Sequence, residues 1–374
     1  MNPYQSVPEK GFWKPAIAAR SAFDVTELWD PKFRIRPREQ IVTFGSCFAQ
    51  HFAKALLKRD MNWFDAEPMP DAVSDEVAVR FGYRTFSART ANIYTPSLLL
   101  QWLSWAFGET EVPAEVWRKG DRFIDPFRPR IEPDGFESAE AVIRLRNQTL
   151  AALRECVTKS GVFVFTLGLT ESWFHQDGYE YPMCPGTAGG EFDPQKHRFV
   201  NQRFMQVNDA LTKAIALMRK HNPKLNILLT VSPVPLIATN SGEHVLVATM
   251  QSKSLLRSVA WEASATHDFV DYFPSYEIIN APTFRGMFFE TDQRSVNPSG
   301  VDFVMNSFFE ARTLKYGADR LDRPATRPAP DSDGDSDGDG EDDPARASGK
   351  RAKRAKDSDV VCEEEVLAAF GPKS

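Results

Sequence analysis

Four short apolar runs restrict the fold of this chain more than anything else in it. Ile41 to Phe44, Val162 to Leu167, Leu225 to Val231 and Phe269 to Phe273 have strand length and the composition of strands covered on both faces. Around them, apolar residues recur at helical spacing. Cys47, Phe48, His51, Phe52, Ala55 and Leu56 follow the first run, and Phe204, Val207, Leu211, Ala214 and Met218 precede the third. Met250 to Ala265 precedes the fourth. Strands alternating with helices predict an α/β fold: a doubly wound, mostly parallel sheet with helices on both faces. Helix start signals agree, since Thr95-Pro96, Ser138 and Asn297-Pro298 all read as N-caps, two of them with proline in the first turn. Met61 to Ala66 reads as a further short strand.

The domain so predicted covers residues 39–316. Residues 1–38, with five prolines among Phe12, Trp13, Phe23, Trp29 and Phe33, read as an irregular N-terminal arm anchored by its aromatics. Residues 317–374 read as a disordered tail, acidic over Asp331 to Asp343 and then basic over Lys350 to Lys356, with Val360 to Phe370 as a short terminal helix. The Asp-x-Asp-Gly letters are no EF-hand: counting from Asp333, the twelfth position is Pro344 where a bidentate glutamate is required. A net charge of -6 argues against general nucleic-acid affinity. The N-terminal letters lack the regions of a signal peptide and no run reaches membrane length, so a cytoplasmic protein without membrane partners is expected. Cys47, Cys156, Cys184 and Cys362 form no C-x-x-C pair, which points to neither a disulfide framework nor a zinc site. No metal or cofactor is expected, and the oligomeric state is not encoded legibly.

Chemistry points to Ser46, which stands where the first apolar run breaks at Gly45 and helical spacing begins. A helix N-terminus offers unpaired N–H groups and the positive end of the dipole to a developing oxyanion, and it is equally a place where serine serves as a cap. The letters Gly45-Ser46-Cys47-Phe48-Ala49, followed in order by Thr166 to Trp173, Thr230 to Pro235 and Tyr272 to Ile279, resemble the GSCFA family, itself similar to the SGNH or GDSL-like esterases and acyltransferases. The resemblance spans about residues 35–312 and implies a serine nucleophile at Ser46. Against the SGNH oxyanion segment stand Gly168-Leu169-Thr170-Glu171, so the resemblance implies the Gly168 N–H and the Thr170 hydroxyl as oxyanion donors and Glu171 in the acidic position. Where the family pattern has a histidine before the last helix, this chain has Asn297, which cannot act as a base.

The base then falls to His244, beside Glu243 in the loop after Val231, with an imidazole nitrogen expected about 3 Å from Ser46 Oγ. Ser46 itself is expected to open onto a cleft shared with Gly168 and Thr170. His175 and His197 flank Tyr181 to Gly190, which reads as a mobile substrate loop, and Trp173, Phe174, Tyr179 and Tyr181 are placed to stack on sugars. The expected function is a serine-dependent esterase or O-acyltransferase acting on a small-molecule or carbohydrate acyl ester, O-acetyl groups included. The alternative is a noncatalytic glycan- or partner-binding protein of the same fold, with Asn297 as the mark of lost chemistry.

Overall fold

In the computed structural model, which describes residues 2–71, 73–318 and 362–371, the four apolar runs pair side by side as a parallel sheet. In chain order, β1 (Ile41–Gly45) leads into α1 (Ala49–Lys58), α2 (Asp75–Arg80) and α3 (Pro96–Ala106). The hairpin β2 (Trp117–Lys119) and β3 (Arg122–Ile124) and then α4 (Ala139–Lys159) come before β4 (Val162–Leu167). A small antiparallel sheet follows, made of β5 (Glu171–His175), β6 (Glu180–Tyr181) and β7 (His197–Asn201). The chain closes with α5 (Phe204–His221), β8 (Asn226–Val231), α6 (Val245–Thr266), β9 (Val270–Tyr272), α7 (Ser275–Asn280) and α8 (Pro298–Tyr316).

Strand periodicity divides the core between the two faces of the sheet. Phe163 and Phe165 of β4, with Ile227, Leu229 and Val231 of β8, pack beneath α3, α4, α5 and α6. Val162 and Val164, with Leu228, pack beneath α1, α7 and α8. The order β1-β4-β8-β9 runs in one direction, so the helices that lead into β4, β8 and β9, namely α4, α5 and α6, cover the first face together with α3. The second face is covered by α1, by the closing helix and by the N-terminal arm, whose Trp29 stacks on Phe308 at 5.2 Å and 14°. The expected α/β architecture with helices on both faces is therefore present, and its second layer comes from the two ends of the domain.

Three local expectations change. Met61 to Ala66 adds a single bridge to β1, Ile41 to Trp63, because the Trp63 N–H turns back onto the Met61 carbonyl at 2.8 Å and ends the ladder. The segment read as a mobile substrate loop begins with Tyr181 in β6, buried and stacked on Phe127 at 5.9 Å. Most of the tail lies outside the described residues, but Cys362 to Gly371 folds back onto the domain, with a 3₁₀ helix over Glu363–Phe370. Among the described residues no helix is long and apolar enough to cross a membrane.

Gly45 fixes the approach of β1 to β4. Its φ of 127° lies in territory other residues avoid, and a Cβ there would run into the Thr166 carbonyl across the ladder. Gly45→Ala is therefore expected to cost about 2–5 kcal/mol, strain and overpacking together. Urea unfolding measures it, and a loss below about 1 kcal/mol would show that the strand ends shift apart without penalty.

Candidate functional site

The parallel strands all end at one edge of the sheet, and their loops meet around Ser46. The Ser46 N–H donates to the Thr166 carbonyl at 3.0 Å, and the Ser232 N–H to the Leu167 carbonyl at 2.8 Å. These bonds hold the ends of β1, β4 and β8 together. Ser46 caps nothing. The residue at the cap of α1 is Phe48, without a side-chain bond, and Ser46 Oγ is buried without a hydrogen-bond partner. A hydroxyl in that state costs free energy unless something else uses it, about 1–3 kcal/mol.

Ser46 is 2% exposed, so the expected open cleft is closed. The space beside it, about 10 Å³, holds roughly one water and is walled by Tyr94, Gly168, Ser232, Lys253 and Glu364. Glu364 belongs to the folded-back C-terminal segment, which is the lid. The Glu363 and Glu364 N–H groups donate to Tyr94 Oη at 3.1 and 3.4 Å, and the Glu363 carboxylate accepts the Asn92 N–H and Nδ2 at 3.2 and 3.1 Å. Arg294 Nη2 lies 3.2 Å from the Glu364 carboxylate, and Arg130 Nη1 donates to the Cys362 carbonyl at 3.2 Å.

Lys253 is the group that sequence reasoning passed over. It projects from the buried face of α6, which also carries Thr249, Leu256 and Ala260, and is 3% exposed. Its Nζ donates to the Gly168 carbonyl at 2.5 Å. Gly168 in turn packs on Ser46, where a Cβ would stand 3.1 Å from that of the serine. Burial pushes the Lys253 ammonium down to about 8, against the opposing pull of the Glu364 carboxylate. A lysine inside an apolar helix stripe is the signal the sequence carries for it.

The other expected site residues are placed elsewhere. His244 is exposed at the N-cap of α6, where its Nδ1 accepts the Leu246 N–H at 3.2 Å. His244 lines neither the Ser46 cavity nor the larger groove beside it, so the structure does not bring it to the serine. The Gly168 N–H is committed to the Tyr94 carbonyl at 2.8 Å, which removes it as an oxyanion donor. Thr170 turns its hydroxyl to Asn201 Oδ1 at 2.8 Å, while Glu171 accepts from Thr239 and from the Asn240 N–H. Burial raises the Glu171 carboxyl above its ordinary value. Trp173 packs edge-on against Phe192 inside the small sheet. Asn297 caps α8 through the Gly300 N–H at 2.9 Å, and its Nδ2 holds the Met287 and Phe289 carbonyls. For an oxyanion, the free donors beside Ser46 are the Cys47 and Phe48 amides, which no carbonyl accepts among the described residues.

A groove of about 600 Å³ runs alongside, between α1 and α8, with His51, Lys54 and Met305 in its lining. Arg294 and Cys362 line it too, and Cys47 faces both spaces. Cys47 and Val234 line both spaces and separate them, and Cys362 lines the groove beside Cys47. The Cys362 thiol is held below the ordinary thiol range by a hydrogen bond from Cys47, whose own thiol is pushed up by that contact and by burial.

The family model of the GSCFA family matches residues 40–308, well over half of the chain, including Ser46, Tyr94, Gly168, Lys253 and Arg294 but not the C-terminal segment that carries Glu364. No curated protein matches, and no solved structure does.

The lid carries its own pH response. Burial raises the Glu363 carboxyl to about 7, with the Asn92 donors and Arg130 opposing the shift. A carboxyl raised on docking contributes most below its undocked value near 4.5 and loses that contribution as pH climbs through about 7. Amide exchange over residues 362–370, corrected for intrinsic rates, is expected to be about tenfold or more slower at pH 5 than at pH 8. Equal protection at both values would contradict a neutral, buried Glu363.

Proposed function

The chain belongs to the GSCFA family, and from that premise we propose that it is a serine-dependent acyl-transfer protein, an esterase or O-acyltransferase of SGNH-like chemistry. In this proposal Ser46 is the nucleophile and Lys253 the base. The observation that carries the reading is the buried Ser46 Oγ, unpartnered and sharing its cavity with a buried lysine amine. Serine needs a proton acceptor, and an amine whose ionisation is pushed near neutrality by desolvation supplies one, as in serine–lysine pairs on unrelated folds.

The steps follow from the groups present. The neutral Lys253 amine takes the Oγ proton as the oxygen bonds to the acyl carbon, and the carbonyl oxygen gains charge opposite the Cys47 and Phe48 amides. Collapse of the intermediate breaks the ester bond, and the Lys253 ammonium returns the proton to the leaving alkoxide. Water or an acceptor alcohol then removes the acyl group from Ser46 by the same path in reverse. Hydrolysis and transfer differ only in that second partner, and carbohydrate O-acetyl esters remain a substrate class to be assayed.

Fluorophosphonate labelling tests the reading. Adduct formation on Ser46 is expected to rise with pH, about tenfold per unit below 8, and to flatten above it as Lys253 becomes neutral. The groups facing that amine are Glu364 and the Cys47 and Cys362 thiols, which favour its charge, and Arg294, which opposes it. Lys253→Met should remove labelling, with the chain still folded. Labelling retained in Lys253→Met would take the role from Lys253, and no adduct at any pH, in the wild-type chain or in Glu364→Gln, would favour the binding protein.

Stability provides a second check. Because Ser46 Oγ makes no hydrogen bond, Ser46→Ala should leave stability within about 1 kcal/mol of wild type, or raise it, while ending adduct formation. A larger loss in urea unfolding would mean that the hydroxyl has a structural partner.

A further inference from the structure

A carboxylate from the chain's own C-terminal segment, Glu364, pairs with Arg294 and shares the Ser46 cavity with Lys253. Arg294 enters from the loop before α8, and Lys253 from α6. Between them Glu364 reaches the Ser46 cavity, with its side chain 14% exposed and that of Arg294 13%. Arg294 Nη2 also lies 3.9 Å from Cys362 Sγ, and its Nε donates to the Pro235 carbonyl at 3.1 Å, which aims the guanidinium from a fixed base. The cations thus stand in a rigid frame, and the anion is carried on a separate strand of chain.

That segment is held mainly by polar contacts and buries little apolar surface. Only Cys362 and Glu363 of the segment are buried. Val366 and Leu367 are half-buried, and Ala368, Ala369 and Phe370 are exposed. A terminal element that folded with the domain would bury those apolar residues, since that burial is what offsets the entropy of ordering. This one is held by its acidic residues and backbone: Glu363 on Asn92, Glu364 on Arg294, and two amides on Tyr94 Oη. Contacts of that kind are recognition contacts, specific for a carboxylate and exchangeable for another.

We propose that Arg294 and Lys253 form a carboxylate-binding subsite beside Ser46, and that Glu364 of the C-terminal segment is its displaceable intrachain occupant. A ligand admitted to the Ser46 cavity therefore presents a carboxylate to the same pair, and an acidic peptide of Cys-Glu-Glu-Glu type is the simplest such ligand. When the segment leaves, Glu364 vacates the Ser46 cavity, and Cys362 and Glu365 vacate the groove between α1 and α8, so both spaces widen on the side the segment covers. The proposal concerns binding and holds whether or not Ser46 transfers an acyl group.

The test uses the full-length chain. Cys362 is buried in the docked segment and reacts with iodoacetamide only when the segment leaves, so its alkylation rate, read by peptide mass, reports docking. In Glu364→Gln that rate should rise about tenfold or more over wild type, with the alkylation of buried Cys156 unchanged as the control for folding. A fluorescein-labelled peptide of residues 360–371, with Cys362→Ser, should bind the Glu364→Gln chain about tenfold or more tightly than the wild-type chain, whose own segment competes. Adding Arg294→Gln to Glu364→Gln should abolish that binding.

Three results overturn the proposal. One is rapid alkylation of Cys362 in the wild-type chain. Another is an unchanged rate in Glu364→Gln. The third is an unlabelled peptide carrying Glu364→Gln that competes as well as the unaltered one. Failure of Ser46 to form a fluorophosphonate adduct would leave every one of these readouts untouched.

Discussion

The close approach of β1 to β4 at Gly45 and Thr166 is the constraint on which the site depends. Without a Cβ at Gly45 the two strands stay in register to their last residues, and the next backbone bond, Ser46 N–H to Thr166, carries the pairing into the turn. The segment before α3 is sewn to the same edge, with Ile93 N–H on the Gly45 carbonyl and Tyr94 accepting the amides of Gly168 and Leu169. These bonds make the edge rigid, and they also consume the amides that the family pattern would assign to an oxyanion. What remains free is the first turn leading into α1, where geometry leaves Cys47 and Phe48 unbonded.

The sheet was legible because a parallel strand buried on both faces leaves a short apolar run that nothing else in this chain imitates. All four runs became strands, and the caps at Thr95, Ser138 and Asn297 each accept the amide three residues on, at Leu98, Ala141 and Gly300. The site was legible only as a location. Ser46 was found because a strand-to-helix turn has a local signature, but the residues around it arrive from Tyr94, Lys253, Arg294 and Glu364, hundreds of residues apart in part, and a single sequence carries no record of which side chains meet. The sequence places His244 in a loop on the right sheet edge, and the structure makes that loop the cap of α6, which uses the imidazole. Composition marks the charged stretch of the tail as polar and says nothing of Glu363 and Glu364 after it, which find partners on the domain.

Electrostatics explains why those meetings are so exposed to perturbation. Lys253, Glu363, Glu364 and Arg294 are all buried with the segment docked, and desolvation is the largest single influence on each of them. Arg294 is raised despite its burial because the Glu364 carboxylate faces it. Taken singly each charge would be expelled or neutralised; taken together they offset one another, and a well-formed buried pair comes close to breaking even against solvation. An assembly poised in that way is responsive: undocking rehydrates the charges and loses little apolar burial, since the segment covers little. The contrast lies across the domain at Asp125, where Arg128 and Arg146 hold the carboxyl down against full burial, with both cations and the anion on the domain itself. There the network is structural, because no member can leave.

On the proposed reading, Lys253 takes the role that the resemblance would give to the position of Asn297, and the same geometry accounts for it. The position before the closing helix is one where a side chain must cap α8 and, here, also tie down the Met287 and Phe289 carbonyls. An asparagine meets both demands, with an acceptor for the helix and two donors for the loop, whereas an imidazole that both capped the helix and donated to the loop would have no nitrogen left for a nucleophile. Once that position is given to structure, a base for Ser46 has to approach from another side of the cavity. The open side is α6, whose buried face passes beneath Gly168, and a side chain there must be long enough to reach past the glycine and polar enough to end on its carbonyl. Lysine satisfies that description, and the burial needed to place it is the same burial that lowers its ionisation to a useful range. On the proposed reading, the asparagine is not the mark of lost chemistry but the consequence of moving the base from a loop to a helix.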